Sequence, residues 1–259
     1  MTLVLKPGYS FDSDASTYID AVETADGQAL ETGVRVAIND FVLGCKQDGI
    51  WNAIKASCIL SGARTLAGAL VPLVGGAPTQ NGTEGGWNYN RETGLQGNGT
   101  DNYLNTNRPD DADGQNDKHY SVYVPNGLTP SVKAMLGALA TSPNRFTQIL
   151  SESTSINFAL NSTGGAVVTP ANATGFLGAS RNTSSTISVL SNSVVGSYSL
   201  NSVASSSFDI FVFARSLNGT ASLFESKPLA FYSIGESLDL AALDTRVSNL
   251  ITAIGAAIP

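Results

Sequence analysis

The sequence predicts a mainly β fold, a two-layer antiparallel sandwich with an N-terminal helical preface and a C-terminal helix, and three observations carry that expectation. Between Gly94 and Ile234 the apolar residues fall in short runs separated by Asn-Ser, Gly-Gly and Asn-Gly pairs, which punctuate antiparallel strands rather than a parallel sheet. On either side of that stretch the apolar spacing lengthens to three and four residues, the period of a helix. Charged residues make up 14% of the chain, well below the usual quarter, and Gly, Ser, Asn and Thr stand in their place, as suits a loop-rich β protein. At 259 residues the chain is long enough for one large all-β domain or two modest ones, with a full core.

Taken in order, Leu3 and Leu5 alternate with Thr2 and Val4 ahead of a Pro-Gly turn, so residues 1–12 read as an extended arm that needs a neighbouring element. From Asp14 the pattern is helical, with Tyr18, Ile19 and Val22 near one stripe. A stronger stripe follows through Leu30, Val34, Ile38, Phe41, Val42 and Cys45 and ends by Gly49. Trp51 and Ile54 open a short apolar turn that leads into a strand over residues 56–60, and an apolar run from Leu66 to Val74 closes in Gly-Gly. The polar, glycine-rich stretch 75–86 is the expected boundary with the sandwich. Cys45 and Cys58 read as buried free thiols, too few for a disulfide framework.

Glycines 94, 97 and 99 permit positive φ ahead of a strand in which Leu104 faces opposite to Tyr103 and Asn105. After an acidic loop, Tyr120, Val122 and Val124 share one face of the next strand. Further strands are expected at 146–150, 156–160, 166–169, 176–179, 187–190, 194–200, 208–213 and 229–234. Phe208-Asp-Ile-Phe-Val-Phe213 is apolar on both faces and should be central, covered by the opposite sheet on one side and by helices on the other. Leu240, Leu243, Val247, Leu250, Ile254 and Ala257 then space a helix, capped by Ser237, whose broad stripe favours packing on its own sandwich over an oligomer seam.

The run Gly94-Leu-Gln-Gly-Asn-Gly-Thr-Asp-Asn-Tyr-Leu104, with the aromatic and β-branched strand after it, resembles the opening strands of concanavalin A-like (laminin G-like) jelly rolls. Val36-Ala-Ile-Asn-Asp-Phe41, Gly49-Ile-Trp-Asn-Ala-Ile54 and the text from Ala63 to Leu73 resemble the helical preface of small β-sandwich proteins encoded by bacteriophages, and Leu229 to Leu238 resembles their closing strand. The resemblance implies an arm (1–12), a helical preface (13–80), a jelly-roll sandwich (81–236) and a C-terminal helix (237–259). It also implies a non-enzymatic structural protein of a virion, as a tail fibre, spike or head decoration, assembled in the bacterial host cytoplasm. Its expected partners are itself, a trimer by that resemblance with a dimer as the alternative that the C-terminal helix spacing by itself favours, other virion proteins and, as an option, a host-surface glycan.

Two other function classes stay open, a carbohydrate-binding module and a glycan-cleaving enzyme. The glucanases of this fold carry Glu-x-Asp-x-x-Glu on one strand, and no such run occurs; Glu84, Glu92, Glu152 and Glu236 fall at loops and element ends. His119 is the one histidine, so no histidine pair can hold zinc. Asp111, Asp113 and Asp117 alternate in an acidic loop and could converge on calcium, the one cofactor the chain suggests, although a like-charge run usually faces water. Trp87 and Tyr89 lie in loop text, where they could stack on a sugar or cap the sandwich edge. A net charge of −7 disfavours nucleic acid and anionic lipid, no segment reaches membrane-spanning length, and the apolar start is too short for a signal peptide.

Overall fold

The computed structural model describes residues 10–127, 131–169 and 174–259, and every structural statement below concerns these. Helices α1 (Ser13–Asp26) and α2 (Thr32–Gln47) come first, then a short 3-10 turn (Trp51–Ala53), the edge strand β1 (Ile54–Ile59) and the single-turn α3 (Leu66–Ala69). Short strands β2 (Thr79–Asn81), β3 (Asn88–Asn90) and β4 (Gly94–Gln96) lead to β5 (Tyr103–Pro109) and β6 (Lys118–Val124). The remaining strands are β7 (Lys133–Thr141), β8 (Asn144–Ser151), β9 (Ile156–Ser162), β10 (Ala166–Val168), β11 (Gly175–Arg181), β12 (Thr186–Ser191), β13 (Val194–Ser199), β14 (Asp209–Val212), β15 (Arg215–Leu217), β16 (Thr220–Ser222) and β17 (Phe231–Gly235). Helix α4 (Leu240–Ala257) ends the chain.

Two sheets form the sandwich. One runs β1-β17-β6-β11-β12-β13; the other runs β10-β9-β8-β7-β14-β5-β2, with β15 and β16 attached beside β7. The pairings along both orders are antiparallel, and β15 alone joins β7 in parallel. Between the sheets lies one apolar core, in which Leu104, Tyr120, Val122, Leu136, Ile149, Phe158, Leu177 and Val212 are fully buried. The sequence had β5 and β6 as two strands with one dry face each, and these faces meet across that core from opposite sheets.

A second core covers the outer face of the six-stranded sheet. Helices α1, α2 and α4 bury Ile19, Val34, Phe41, Val247 and Leu250 there against Phe176, Leu190 and Phe231. A sheet covered on both faces loses the apolar/polar alternation, and β11 and β17 are accordingly buried along almost their whole length. Close approach of α2 and α4 depends on two small residues. A Cβ on Gly33 would lie 2.7 Å from the Ala257 Cβ, and one on Gly44 would lie 2.7 Å from the Arg246 side chain. Arg246 clamps Asp48 through two hydrogen bonds, 2.7 and 2.8 Å long, at the end of that contact.

Several sequence-based expectations need correction. Strand β14 is central, between β7 and β5, but the helices lie over the other sheet; the Phe211 ring packs against Tyr103, with ring centroids 4.5 Å apart, and Phe224 meets Tyr103 at a tilt, centroids 6.2 Å apart. Helix α4 is capped by Asp239, whose carboxylate accepts from Ala241 and Ala242, whereas Ser237 donates to Asp117. The heptad-spaced Leu240, Val247 and Ile254 are buried within the monomer, in the core shared by the helices and the six-stranded sheet. Strand β7 matches none of the expected strands. The arm falls outside the described residues up to residue 9, and Asp12 at its end is the N-cap of α1. Both cysteines are free and buried, and burial pushes each thiol up to about 12.

Candidate functional site

The acidic loop does not assemble a cation site. Asp113 pairs with Arg108, Asp117 accepts from the backbone and hydroxyl of Ser237 at 2.8 and 2.6 Å, and Asp111 stands exposed by itself. Among the described residues no group of three or more His, Cys, Asp or Glu side chains is arranged to hold a metal ion. The neighbouring Asp110 points inward instead and is 1% exposed.

Trp87 and Tyr89 are pulled apart in role. The Trp87 ring meets Phe213 edge-on, centroids 5.4 Å apart, and its free side borders a depression of about 400 Å³ walled by Leu66 and residues 80–85. Tyr89 does not line that depression; its hydroxyl donates to the Ala63 carbonyl at 2.7 Å, and burial raises it above the ordinary tyrosine range. His119 is likewise committed. It is fully buried, with Nδ1 2.5 Å from the Glu236 carbonyl and Nε2 3.0 Å from the Ser233 hydroxyl, so the neutral ring donates through Nδ1.

The second tryptophan, Trp51, is half-buried like Trp87 but carries charged partners. Helix α2 ends in a reversal at Gly49, φ 73°, where the Ile50 amide bonds back to Cys45 and the Gly49 amide to Lys46. That turn delivers the 3-10 segment alongside the start of α1 and sets Trp51 half-buried at the surface. Its Nε1 donates to Asp14 at 3.1 Å, and Lys46 sits 5.8 Å from the ring centroid while bridging Asp12 at 2.6 Å and Asp14 at 2.7 Å. Hydrogen bonds to the two aspartates hold the Lys46 ammonium above its ordinary range, and Lys46 in turn lowers Asp12. The indole is therefore fixed at its edge and over one face.

Two depressions meet at this ring. One, of about 450 Å³, has an apolar floor of Tyr18, Ile54, Pro72 and Leu73 and a rim of Asp14, Thr17, Asn52 and Lys55. The other, of about 360 Å³, is bounded by Asp14, Lys46, Gly49 and Asn52. Lys55 also pairs with Glu236 at 3.2 Å. An aromatic face ringed by amide, hydroxyl and charged groups can hold a ligand that is apolar on one face and hydroxylated at its edges. Sequence reasoning missed this site because Trp51 reads as an apolar residue entering a strand, and its partner Asp14 lies 37 positions away.

No protein-family model matches the chain, and no curated protein sequence matches it. Among solved structures, the botulinum neurotoxin serotype D binding domain is similar with a TM-score of 0.50 and 12% identity, over 76% of this chain and 52% of that one. The chain thus spans about half the length of that structure. Looser likenesses are the Ruminococcus gnavus IT-sialidase CBM40 bound to α2,3 sialyllactose (TM-score 0.39, 7% identity, 54% of this chain and 83% of that one) and the Streptococcus pneumoniae NanB sialidase (TM-score 0.40, 11% identity, 52% and 24%). The neurotoxin likeness supports the fold alone: a mainly β, jelly-roll-type antiparallel sandwich with helices before and after it.

Proposed function

We propose that the chain is a non-catalytic carbohydrate-binding module that takes a sugar ring against Trp51. The observation that carries this reading is the half-buried indole, held by Asp14 and Lys46, between two depressions, one rimmed by Thr17, Asn52 and Lys55 and the other by Lys46, Gly49 and Asn52. A pyranose offers an apolar face of C–H groups and a polar edge of hydroxyls. The indole matches the face by dispersion, and the rim side chains match the edge by hydrogen bonds. A ring already fixed in place loses little freedom on binding. The burial of His119, with both ring nitrogens engaged, takes the one histidine away from any surface chemistry.

Fold by itself carries no function, and the neurotoxin likeness adds only that this shape serves as a binding domain in that protein. The virion role expected from the sequence resemblance has no structural observation of its own behind it, and the module reading does not depend on it. A glycan array probed with the wild-type chain tests the proposal. Binding to a related set of glycans is expected, lost in Trp51→Ala and kept in Trp87→Phe; an array without a bound glycan overturns it.

A further inference from the structure

At one end of the sandwich interior, between the two sheets, a lysine, an asparagine and an aspartate meet with almost no exposure. Lys118 is the first inward residue of β6, Asn161 belongs to β9 in the opposite sheet, and Asp110 precedes β6; Lys118, Asn161 and Asp110 are 0%, 1% and 1% exposed. Lys118 Nζ lies 2.8 Å from Asp110 Oδ1 and 3.1 Å from Asn161 Oδ1, and it also donates to the Asp110 carbonyl. Asp110 is anchored on its far side by the Ser206 amide and hydroxyl, at 3.0 and 3.1 Å.

The position of Asn161 is built rather than incidental. Ile156, Phe158 and Leu160 line the core from β9, so strict alternation would turn Asn161 outward. Between the pairs Phe146–Ser162 and Thr147–Leu160 the register slips, Asn161 is the extra residue, and its φ is 47°. This bulge re-aims the carboxamide at Lys118, as bulges do beside reactive sites. Thr147 donates its hydroxyl to Asn161 Oδ1 at 3.1 Å, and Asn161 Nδ2 donates to the carbonyl of the exposed Gln115 at 2.9 Å.

We infer that Lys118 and Asn161 condense into an intramolecular isopeptide bond that joins the two sheets. One proton passes from Nζ to the Asp110 carboxylate, and the neutral amine attacks Cγ of Asn161. The developing negative charge on Oδ1 is held by the Thr147 hydroxyl. The second Nζ proton goes to Nδ2, the Cγ–Nδ2 bond breaks, and ammonia leaves beneath the Gln115 loop, where it can take the proton held by Asp110. One C–N bond forms, one breaks, and nothing is oxidised or reduced. Condensation also removes one of two buried cations: Arg181, the cross-strand partner of Lys118, is fully buried and hydrogen-bonds only carbonyl oxygens, those of Leu160, Thr183, Thr186 and Leu200.

Mass spectrometry of the purified full chain under denaturing conditions tests the bond. The expected mass is lower than that of the sequence by one ammonia, and trypsin should leave residues 92–133 uncut at Lys118 and joined to residues 146–181. A chain at full sequence mass, digesting to separate peptides 92–118, 119–133 and 146–181, overturns the proposal, as does an ammonia loss with no joined peptide. Asp110→Asn should retain the ammonia and yield the separate peptides; a joined peptide in that variant would overturn the role of Asp110. The wild-type map decides the bond even where the variant does not fold.

Discussion

His119 shows how far burial can carry a single side chain. Removal from water outweighs the hydrogen bond to the Glu236 carbonyl and lowers the imidazole from its ordinary 6.5 to about 4. The unfolded chain takes up a proton below pH 6.5 that the folded chain refuses until about pH 4, so stability falls as pH drops through that window. The loss amounts to roughly 3 kcal/mol by pH 4. Urea midpoints measured between pH 7 and pH 4 should decline accordingly, and His119→Gln should flatten that part of the profile. An equally steep decline in the variant would assign the dependence to other groups. The buried Cys45 and Cys58 make a simpler case: with thiols pushed up to about 12, neither should react with an alkylating agent at neutral pH until the chain is unfolded.

Among the elements, α4 tests whether its apolar stripe belongs to the monomer. Leu250 is 2% exposed in the core shared with α2, so Leu250→Ala should cost about 2–5 kcal/mol in urea unfolding, to the same extent at every protein concentration. A cost that appears only as protein concentration rises would put the residue at a subunit interface instead. The loop before β6 makes the opposite kind of prediction. With Asp113 bound to Arg108 and Asp117 to Ser237, millimolar calcium should leave the melting temperature unchanged, and a rise would restore the cation site. The helices were legible in the sequence because their 3.6-residue stripes face one core. Strand β7 was not, since Lys133-Ala-Met-Leu-Gly-Ala-Leu-Ala-Thr141 is poor in β-branched residues and, buried on both faces, shows no alternation. Nor does any local pattern announce the bulge at Asn161; only the pairing register reveals it.

Over the whole molecule, the arrangement places one core between two sheets and a second between the six-stranded sheet and the helices. The sandwich and its flanking helices could be read from the chain, but which sheet the helices cover could not, because Phe208–Phe213 and the strands of the other sheet are equally apolar. The candidate site was hidden for a related reason: Asp14, Lys46 and Trp51 come from three elements and meet only after folding. The claim that Trp51 is the sugar platform is tested most directly by fluorescence titration of the Trp87→Phe chain, in which Trp51 is the remaining tryptophan of the two. Titrated with the glycan that an array selects, its emission should change saturably with the wild-type affinity, whereas Trp51→Ala should bind weaker by about 2 kcal/mol, roughly thirtyfold. Glycan binding that leaves the Trp51 emission unchanged would contradict the account.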